Sequence, residues 1–491
     1  MSNTYTKDSK IIIVGAGVFG LSNALHLAQN GYRNITVYDR LDFDANRYTL
    51  LHGADTASAD INKIFRAQYA EKKHYQDLAF EAFEIWQKWN RDITLVPEEE
   101  AKRYTALRIL DLCGMLRLDD QVGWEEIASR ENFEKEGLAA LRFDLDDPVD
   151  VNRARAAGFG SKIDYALDLK QTGVPKLRGA LDATSGVLYA SRACQYAKYL
   201  CTKLGVKFVL GGAKGTFSKF VYSDKNDTVV SGITTEDGQS HSADLVVISA
   251  GPWSTSLVPD LDGINEAASG NIAIFKIPEH RKDLREKYSS KNFPVVGWKT
   301  GHSREKDKCA GMFMFPIMEP EGYMKVIIRQ TKYINPIQTE KGKVISIPKT
   351  ENSSPPHTLL TKHIVDQLKD WISVFFPDLI GLPFESRVLW YTDTINNDYI
   401  YDFNPYKKNL FVACGGSGHA FKMLPVLGQF LVNKIEGKEN LYTKLFRWKN
   451  PNEFEKDPNG LREKLNSSRI WDNQTLSTPK DYKFTKTTSK L

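Results

Sequence analysis

The first forty residues contain the feature that most limits what this chain can fold into. Residues 11–14 read Ile-Ile-Ile-Val, a β-branched run that is typical of a buried parallel strand. Gly15, Gly17 and Gly20 follow in the spacing GxGxxG, and after them leucines and alanines recur at helical spacing. Residues 35–38 form the next β-branched run. Together these segments predict a complete β-α-β unit.

The glycines and one acidic residue fit the recognition of a dinucleotide. Gly15 permits a tight turn, Gly17 leaves the backbone open to a pyrophosphate, and Gly20 lets the helix pack closely on the strand. The helix N-terminus then offers N–H groups to the phosphates. Asp39 stands nineteen residues after Gly20, where a carboxylate accepts ribose hydroxyls. We predict a dinucleotide site, although this turn alone does not choose between FAD and NAD.

Length and charge narrow the class of protein. A chain of 491 residues is expected to form two or more domains. Its net charge of +5 is small for that length and argues against a dedicated nucleic-acid surface. No run approaches the roughly 20 apolar residues that span a bilayer. The five cysteines are scattered without a CxxC pair, which favours a reducing compartment and predicts no metal site.

The C-terminus carries a candidate targeting signal. The last residues, Ser489, Lys490 and Leu491, form the tripeptide that the peroxisomal import receptor reads. They end a polar stretch, starting near Asn473, that is expected to be flexible and accessible. We predict a peroxisomal location; the alternative is a tail that ends in these residues by accident.

Further segments indicate how the chain is organised. Residues 73–89 and 193–204 have helical spacing, whereas residues 207–210, 244–249 and 409–413 read as buried strands. The middle of the chain alternates apolar and polar residues, as antiparallel strands do. This order predicts a nucleotide domain assembled from separated segments, with a mostly antiparallel domain inserted.

Four segments give the chain a family resemblance. They are Asp39 with Arg40, then residues 57–66 (Ala-Ser-Ala-Asp-Ile-Asn-Lys-Ile-Phe-Arg), residues 322–326 (Gly-Tyr-Met-Lys-Val) and residues 410–425 (Leu-Phe-Val-Ala-Cys-Gly-Gly-Ser-Gly-His-Ala-Phe-Lys-Met-Leu-Pro). The whole resembles the amine-oxidising flavoenzymes of the sarcosine oxidase and fungal amadoriase (fructosyl amino acid oxidase) group. The resemblance spans about residues 11–449, and its last segment is the most specific.

The resemblance implies an α/β fold with a glutathione-reductase-like (Rossmann) FAD-binding domain and an inserted, mostly antiparallel substrate domain. We assign residues 1–100, 180–265 and 385–450 to the FAD-binding domain, residues 101–179 and 266–384 to the substrate domain, and residues 451–491 to an extension with a flexible tail. A monomer is expected.

The resemblance also implies an oxidase that takes a hydride from a carbon bonded to a secondary amine nitrogen. An imine or iminium and hydrogen peroxide are the expected products, with dioxygen as the acceptor. Alternatives within enzymes are a true fructosyl amino acid oxidase, a saccharopine- or pipecolate-type oxidase, and a dehydrogenase that passes electrons to a carrier. The alternative of another class is a non-catalytic flavin-binding protein.

Roles for individual residues follow from the matching positions. Lys325 falls where the group places a lysine over the flavin, and Lys63 matches a second basic residue near the ring. Arg66 and Lys422 are candidates to hold a substrate carboxylate, although either fits an ordinary surface charge as well. A helix starting near His419 is expected to direct N–H groups at the flavin. The predicted cofactor contacts are Gly15, Gly17, Val18, Phe19, Gly20, Asp39, Arg40, Ser58, Asn62, Lys63, Gly251, Cys414, Gly416, Gly418 and Lys422.

Two positions depart from the group's pattern. Members usually attach FAD through a cysteine that here aligns with Leu389, which cannot form a thioether. Cys414 stands at the end of the strand that enters the second glycine turn, and a thiolate is a competent nucleophile. We predict covalent FAD at Cys414; the alternative is a buried free thiol beside noncovalent flavin.

The second departure concerns the substrate. Amadoriases place a glutamate that grips the sugar four residues after the flavin lysine, and that position is Arg329 here. The reversed charge argues against a fructosyl substrate bound in the usual way. Tyr391 aligns with a pocket tyrosine of sarcosine oxidases. We therefore expect an N-alkylated amino acid, aromatic in one version of the hypothesis, with a further acidic or polar group that meets Arg329.

Overall fold

The computed structural model describes residues 5–54, 56–101, 107–119, 124–171, 178–300, 310–329, 331–340, 342–350, 358–463, 465 and 467–483. The strands, numbered in chain order, are β1 (Lys10–Val14), β2 (Asn34–Asp39), β3 (Lys63–Phe65), β4 (Leu110–Asp111), β5 (Met115–Asp119), β6 (Arg142–Asp144), β7 (Arg178–Asp182), β8 (Gly186–Leu188), β9 (Lys207–Leu210), β10 (Phe217–Tyr222), β11 (Val230–Thr235), β12 (Ser240–Ser242), β13 (Leu245–Ile248), β14 (Asn265–Lys276), β15 (Val295–Thr300), β16 (Ala310–Met314), β17 (Tyr323–Arg329), β18 (Pro336–Gln338), β19 (Val344–Ser346), β20 (Phe384–Thr394), β21 (Ile400–Phe403) and β22 (Leu410–Cys414).

The helices are α1 (Val18–Gln29), α2 (Phe43–Asn46), α3 (Lys73–Asp92), α4 (Glu98–Ala101), α5 (Trp124–Lys135), α6 (Pro148–Ala156), α7 (Gly160–Gln171), α8 (Ala190–Lys203), α9 (Gly212–Gly215), α10 (Ser254–Leu257), α11 (Lys282–Lys287), α12 (Lys362–Phe375), α13 (Gly428–Ile435) and α14 (Leu441–Leu445). Short 3₁₀ turns join several of them. Among the described residues, no helix combines the length and the apolar character needed to cross a bilayer.

A six-stranded sheet with the order β21-β22-β13-β1-β2-β9 forms the first layer. Its strands are parallel apart from the edge pair β21–β22. β1 lies in the middle of the sheet, which explains why its apolar residues are buried on both faces. Helix α1 covers one face and packs against α8 and α13. A Cβ on Gly428 would overlap the carbonyl oxygen of Ser22, so the close approach of α13 to α1 depends on that glycine.

An eight-stranded sheet with the order β20-β14-β17-β16-β15-β5-β7-β6 forms the second layer. All its neighbouring pairs are antiparallel except β5–β15. Each sheet carries its own large apolar core, centred on α1 and α3 in the first and on β14 and α12 in the second. The predicted fold, a Rossmann-type domain with a mostly antiparallel second domain, is the one observed.

Two segments differ from what the sequence predicted, one in its sheet and one in its flexibility. β20, which the sequence placed in the first domain from residue 385, pairs with β14 of the second sheet along its length. The extension from residue 451 to residue 483 packs on the second layer, well past Asn473, where flexibility was expected. Lys362 N donates to Thr475 O at 2.8 Å, and Ser477 N donates to Leu360 O at 2.9 Å. Ser489, Lys490 and Leu491 lie outside the described residues.

Candidate active site

One cavity of about 890 Å³ runs from the first glycine turn, between the two sheets, to the second. This volume lies near the top of the roughly 300–1,000 Å³ that small-molecule sites occupy. The predicted site residues that line it are Gly15, Gly17, Val18, Phe19, Asp39, Arg40, Ser58, Lys63, Arg66, Gly251, Arg329, Tyr391, Gly416, Gly418 and Lys422. The fold thus brings the N-terminal unit and the C-terminal motif, far apart in sequence, to one site.

The first glycine turn has the geometry that its sequence predicts. Gly15 adopts φ +106°, and a Cβ there would overlap the backbone of Ser249. A Cβ on Gly17 would lie 2.8 Å from Ser58 Oγ, and one on Gly20 would overlap the carbonyl oxygen of Gly15. Gly20 therefore does not line the cavity but sets how closely α1 packs on β1. The missing side chain at Gly17 leaves room for the Ser58 hydroxyl, which accepts from Val18 N at 3.0 Å, while the backbone of Gly17 lines the cavity.

Asp39 fixes the turn from the end of β2. Its Oδ2 accepts from Ala16 N at 2.7 Å and its Oδ1 from Leu41 N at 2.9 Å. Burial raises the pKa of the Asp39 carboxyl, against the effect of these two hydrogen bonds. An ionised carboxylate has about four acceptor sites, so two remain for ribose hydroxyls. The guanidinium of Arg40 lies 4.2 Å from the ring centre of Trp253 and forms the adjoining wall.

A buried carboxylate links the two lysines that were predicted to serve the flavin. Asp60, 1% exposed, has its Oδ2 at 2.7 Å from both Lys325 Nζ and Lys63 Nζ. Lys325 also donates to the carbonyl oxygen of Asn62. Burial opposes the charge of Asp60, but the two ammonium groups hold the pKa of its carboxyl below the usual value. Burial lowers the pKa of Lys325 to about 8, opposed by Asp60 and reinforced by Lys63.

The structure separates these three charged groups by depth. Asp60 and Lys63 line the cavity, whereas Lys325 is fully buried and is not among the lining residues. Lys325 lies on the same face of β17 as Ile327 and Arg329, which do line the cavity. It is thus held behind Asp60 rather than directly at the wall. The sequence analysis did not identify Asp60 as a site residue. A signal was available, because Asp60 lies within the segment of residues 57–66 that carries the family resemblance, and a buried lysine requires an anion.

Cations gather at the other end of the cavity. Lys422, 4% exposed, has its Nζ 4.7 Å from the ring centre of Tyr69. Burial, followed by the nearby Arg66 and Arg329, lowers the pKa of Lys422 well below its ordinary value. No described carboxylate forms an ion pair with Lys422 or Arg329. A cavity wall with this much positive charge favours an anionic ligand.

Tyr391 lies beside Arg329 in this cationic wall. Burial raises the pKa of the Tyr391 hydroxyl, and a hydrogen bond with Arg329 acts against that shift. A Cβ on Gly418 would lie 2.5 Å from Arg329 Nη2, so the glycine leaves room for the guanidinium. The predicted group of Tyr391, Arg329, Arg66 and Lys422 is therefore brought together.

The second glycine turn is anchored by β20 and not by a long helix. Gly416 N donates to Thr392 Oγ1 at 3.0 Å, and Ser417 N donates to Thr392 O at 2.8 Å. The helix expected near His419 is wrong: a single 3₁₀ turn, Phe421–Met423, follows, and α13 begins only at Gly428. The short turn carries Lys422 into the cavity.

The imidazole of His419 is hydrogen-bonded to aromatic side chains and to the backbone next to this turn. Its Nε2 lies 3.0 Å from the carbonyl oxygen of Asn397, so Nε2 donates and Nδ1 accepts from Tyr69 and Tyr399 at 3.2 and 3.1 Å. Burial and then Lys422 lower the pKa of His419 well below its ordinary value. A neutral, fully bonded imidazole has a structural role here.

Besides Gly20, two predicted cofactor contacts, Cys414 and Asn62, lie away from the cavity. Cys414 is fully buried with Ile12, Val14 and Ile248 in an apolar cluster and is not a lining residue, whereas Leu389 is one. Burial raises the pKa of the Cys414 thiol. Asn62 is also buried, and its side-chain amide has no partner among the described residues.

The residues present fit FAD. The backbone of Gly17 at the cavity wall, the N-terminus of α1 and the carboxylate of Asp39 match the phosphate and ribose end. Toward the other end, Asn271 Oδ1 is a buried cavity acceptor without a partner among the described residues, as a cofactor with N–H groups requires. No group of His, Cys, Asp and Glu in the described part of the chain has the arrangement of a metal site.

The comparisons with known proteins agree. Residues 10–434 match the family model described as FAD dependent oxidoreductase. The chain is 28% identical to L-saccharopine oxidase of Schizosaccharomyces pombe, over 87% of this chain and 90% of that protein. It is 25% identical to peroxisomal sarcosine oxidase of Mus musculus, over 86% and 90%. Fructosamine oxidase (Amadoriase II) of Aspergillus fumigatus has a similar fold, with a TM-score of 0.67, 24% identity and 91% of each chain covered.

These findings confirm the predicted resemblance, the FAD cofactor and the enzyme class. The match covers both the N-terminal glycine turn and the C-terminal motif, which the cavity joins. The protein belongs to the family of FAD-dependent oxidoreductases, alongside the amine-oxidising members that act on amino acids.

Proposed function

We propose that the protein oxidises a secondary amine that carries at least two carboxylates, with dioxygen as the electron acceptor. The observation that carries this proposal is the cationic end of the FAD cavity. There Arg66, Arg329 and Lys422 converge, and the last is nearly fully buried. A single carboxylate does not balance Arg329 and Lys422, neither of which forms an ion pair with a described carboxylate, whereas an N-alkylated amino acid with a second acid group does so better.

The names of two relatives support a substrate that is an amino acid. L-saccharopine oxidase is named for an amino acid substrate, and peroxisomal sarcosine oxidase for an N-methylated one. Arg329 favours a substrate with a second carboxylate over one with a single carboxylate, because a guanidinium has five N–H donors in a planar fork that suits this group. Tyr391 beside it supplies a hydroxyl and an apolar ring face.

FAD bound in the cavity would accept a hydride from the carbon next to the amine nitrogen and return two electrons to dioxygen, which yields an imine and hydrogen peroxide. The chain itself binds the carboxylates through Arg66, Arg329 and Lys422 and so orients the reacting carbon. Asp60 holds Lys63 at the cavity wall with Lys325 behind it, which places positive charge beside the cofactor. Water then hydrolyses the imine to a carbonyl compound and an amine.

The test is anaerobic bleaching of the bound flavin by a panel of amines, followed by peroxide release when air is admitted. The panel contains saccharopine, sarcosine, pipecolate and fructosyl-valine. We expect saccharopine or another amine with two or more carboxylates to bleach the flavin fastest and to give one peroxide per amine. Fructosyl-valine as the best substrate would overturn the substrate class. Bleaching without peroxide would instead identify a dehydrogenase.

The mode of FAD attachment stays a prediction. A thioether at Cys414 requires the sulfur to reach the cavity, but the thiol is packed in an apolar cluster and its pKa is raised. These contacts favour noncovalent binding, since the thiolate is the nucleophile. Acid precipitation decides the matter: yellow colour that stays in the pellet indicates the covalent bond, and colour that is fully released excludes it.

We also propose a peroxisomal location and a monomeric state. The tripeptide Ser489, Lys490 and Leu491 supports the location, and peroxide release suits a compartment that contains catalase. A fluorescent fusion at the N-terminus should give punctate signal, and deletion of the three residues should disperse it. Sedimentation at micromolar concentration should give the mass of one chain, about 55.6 kDa.

A further inference from the structure

The extension after the family-matched region reaches the substrate end of the cavity. The family model matches residues 10–434, and the extension comprises residues 451–483. The side chain of Asn459, 8% exposed, points inward from it. Its Oδ1 accepts from Lys332 Nζ at 2.9 Å. Lys332 itself lines the cavity, and its Nζ lies 6.0 Å from the ring centre of Tyr391.

The extension also holds the backbone around Lys332. Arg469 Nη1 donates to the carbonyl oxygen of Lys332 at 3.4 Å. Two residues further on, Ile334 N donates to Arg469 O at 2.9 Å and Trp471 N donates to Ile334 O at 2.8 Å. Lys332 is therefore fixed by its side chain and by its main chain from the same segment.

A second part of the cavity wall depends on Asn459. Its Nδ2 donates to the carbonyl oxygen of Thr394 at 2.8 Å and to Asn397 Oδ1 at 2.7 Å. Asn397 lines the cavity. The amide thus ties Lys332 to the turn that follows β20, and both sides of this tie face the ligand space.

Lys332 keeps a donor for a ligand. Its ammonium group has three N–H donors. One is directed to Asp393 Oδ2 at 2.8 Å and one to Asn459 Oδ1, and no described residue accepts the third. Asp393 is 1% exposed and anchors the lysine from below, so Lys332 is oriented before any ligand arrives.

We propose that the extension is part of the substrate site: Asn459 positions Lys332 so that its third N–H binds the carboxylate of the substrate farthest from the reacting carbon. This inference rests on the proposed polycarboxylate substrate and adds Lys332 as a specificity-determining residue. It also assigns a role to a segment that the family model does not include.

The experiment measures the binding of glutarate and acetate to the purified holoenzyme by titration calorimetry. Glutarate carries two carboxylates and acetate one. Wild-type protein should bind glutarate more tightly than acetate. Lys332→Met and Asn459→Ala should each weaken glutarate binding about tenfold while acetate binding changes less than about twofold.

Glu455→Ala is the matched control, because Glu455 is an exposed residue of the same extension. It should bind both acids as the wild type does. Unchanged glutarate affinity in Lys332→Met overturns the role of the lysine. A loss in Lys332→Met with wild-type affinity in Asn459→Ala overturns the role of the extension.

The result also separates this inference from the proposed function. Calorimetry does not depend on turnover. If no amine bleaches the flavin but the protein still prefers glutarate, and this preference depends on Lys332, then only the oxidase activity is refuted. For Asn459→Ala, a melting temperature near that of Glu455→Ala establishes that the variant is folded. Should it not fold, Lys332→Met still decides whether the proposed carboxylate contact exists.

Discussion

The two ends of the cavity differ in whether backbone or side chains form the wall. At the first glycine turn the wall is mostly backbone: Gly15 packs against the backbone of Ser249, Gly17 packs against the Ser58 hydroxyl, and one carboxylate, Asp39, accepts from two N–H groups. At the second turn the wall is mostly side chain, with Lys422 and Arg329 drawn from separate sheets and loops. The first end depends on close packing, and the second on electrostatics.

This difference explains what each end tolerates. A backbone wall has no freedom to move, so an added methyl group there must displace main chain. A wall of long cationic side chains can rearrange. Burying their charge without a partner destabilises the folded protein, and only a bound ligand offsets that cost. The first end is therefore stable in the absence of ligand, whereas the second is poised for one. Four predictions test this contrast, from the largest expected effect to the smallest.

Gly20→Ala should abolish stable holoenzyme. The new Cβ would overlap the carbonyl oxygen of Gly15, and neither backbone segment can shift without breaking the β1–α1 packing. We expect a loss above about 3 kcal/mol in the free energy of unfolding, together with loss of bound FAD. Urea denaturation and the flavin absorbance of the purified protein measure both.

Gly31→Ala is the control for that substitution. Gly31 also has a positive φ, +85°, but a Cβ there meets nothing within 4 Å. Its cost should stay near the roughly 1–2 kcal/mol of left-handed backbone strain, with FAD retained. Equal losses in the two variants would contradict the contact that we assign to Gly20.

Asp60→Asn should destabilise the protein by about 3 kcal/mol, because it leaves two lysines near each other without their shared anion. Adding Lys325→Met should restore much of this loss, since the fully buried ammonium is then gone. A double-mutant cycle by urea denaturation gives the coupling energy. Asp77→Asn, which removes an exposed pair with Lys73, should change stability very little. Additive losses would show that Asp60 and Lys325 are not coupled.

Lys422→Met should move binding and stability in opposite directions. The KM of a dicarboxylate amine should rise roughly 10- to 100-fold through the loss of a charge-assisted hydrogen bond. The free enzyme should become more stable, because burial already lowers the pKa of this lysine well below its ordinary value. Steady-state kinetics and thermal melting test the pair of effects. Lys214→Met, at an exposed lysine, should alter neither quantity; a less stable Lys422→Met would refute the idea of an electrostatic cost.

The pH dependence of stability gives the smallest effect for each step of the measurement, which is one pH unit. Lys325 has a pKa of about 8 in the folded protein and an ordinary value of 10.5. Below pH 8 both states bind the proton, so the full cost of the buried charge is present. Between those values only the unfolded state binds it, so stability rises with pH by at most about 1.4 kcal/mol per unit. Urea denaturation of wild type and Lys325→Met at pH 7.5, 8.5 and 9.5 should show this gain in the difference between them. A constant difference would contradict it.

The backbone-built end was the more predictable from sequence. Gly15, Gly17 and Asp39 occur at fixed spacings because a turn, a close approach and a strand end each demand one residue type. The same reasoning located five of the six strands of the first sheet, since runs of β-branched and other large apolar residues favour strands. The α/β fold with a second antiparallel layer follows from the order of those elements.

The side-chain end was less predictable, because it depends on which distant segments meet. Lys332 follows β17 with no local motif, and its orientation depends on Asn459, more than a hundred residues later. Cys414 precedes a recognisable turn, yet strand alternation directs its thiol into the apolar cluster and away from the cavity. Lys325 was predicted to lie over the flavin, and its depth behind Asp60 becomes apparent only in the tertiary structure.

β20 has a consequence for how the molecule comes apart. It pairs with β14 over its whole length, from Phe384 opposite Phe275 to Thr394 opposite Asn265. Near its end, Thr392 is hydrogen-bonded to the turn that follows β22 of the first sheet. Neither layer can unfold without disrupting the other, because both are hydrogen-bonded to this strand. Heating should therefore give a single calorimetric peak in which both layers and the flavin are lost together, as in one cooperative unit.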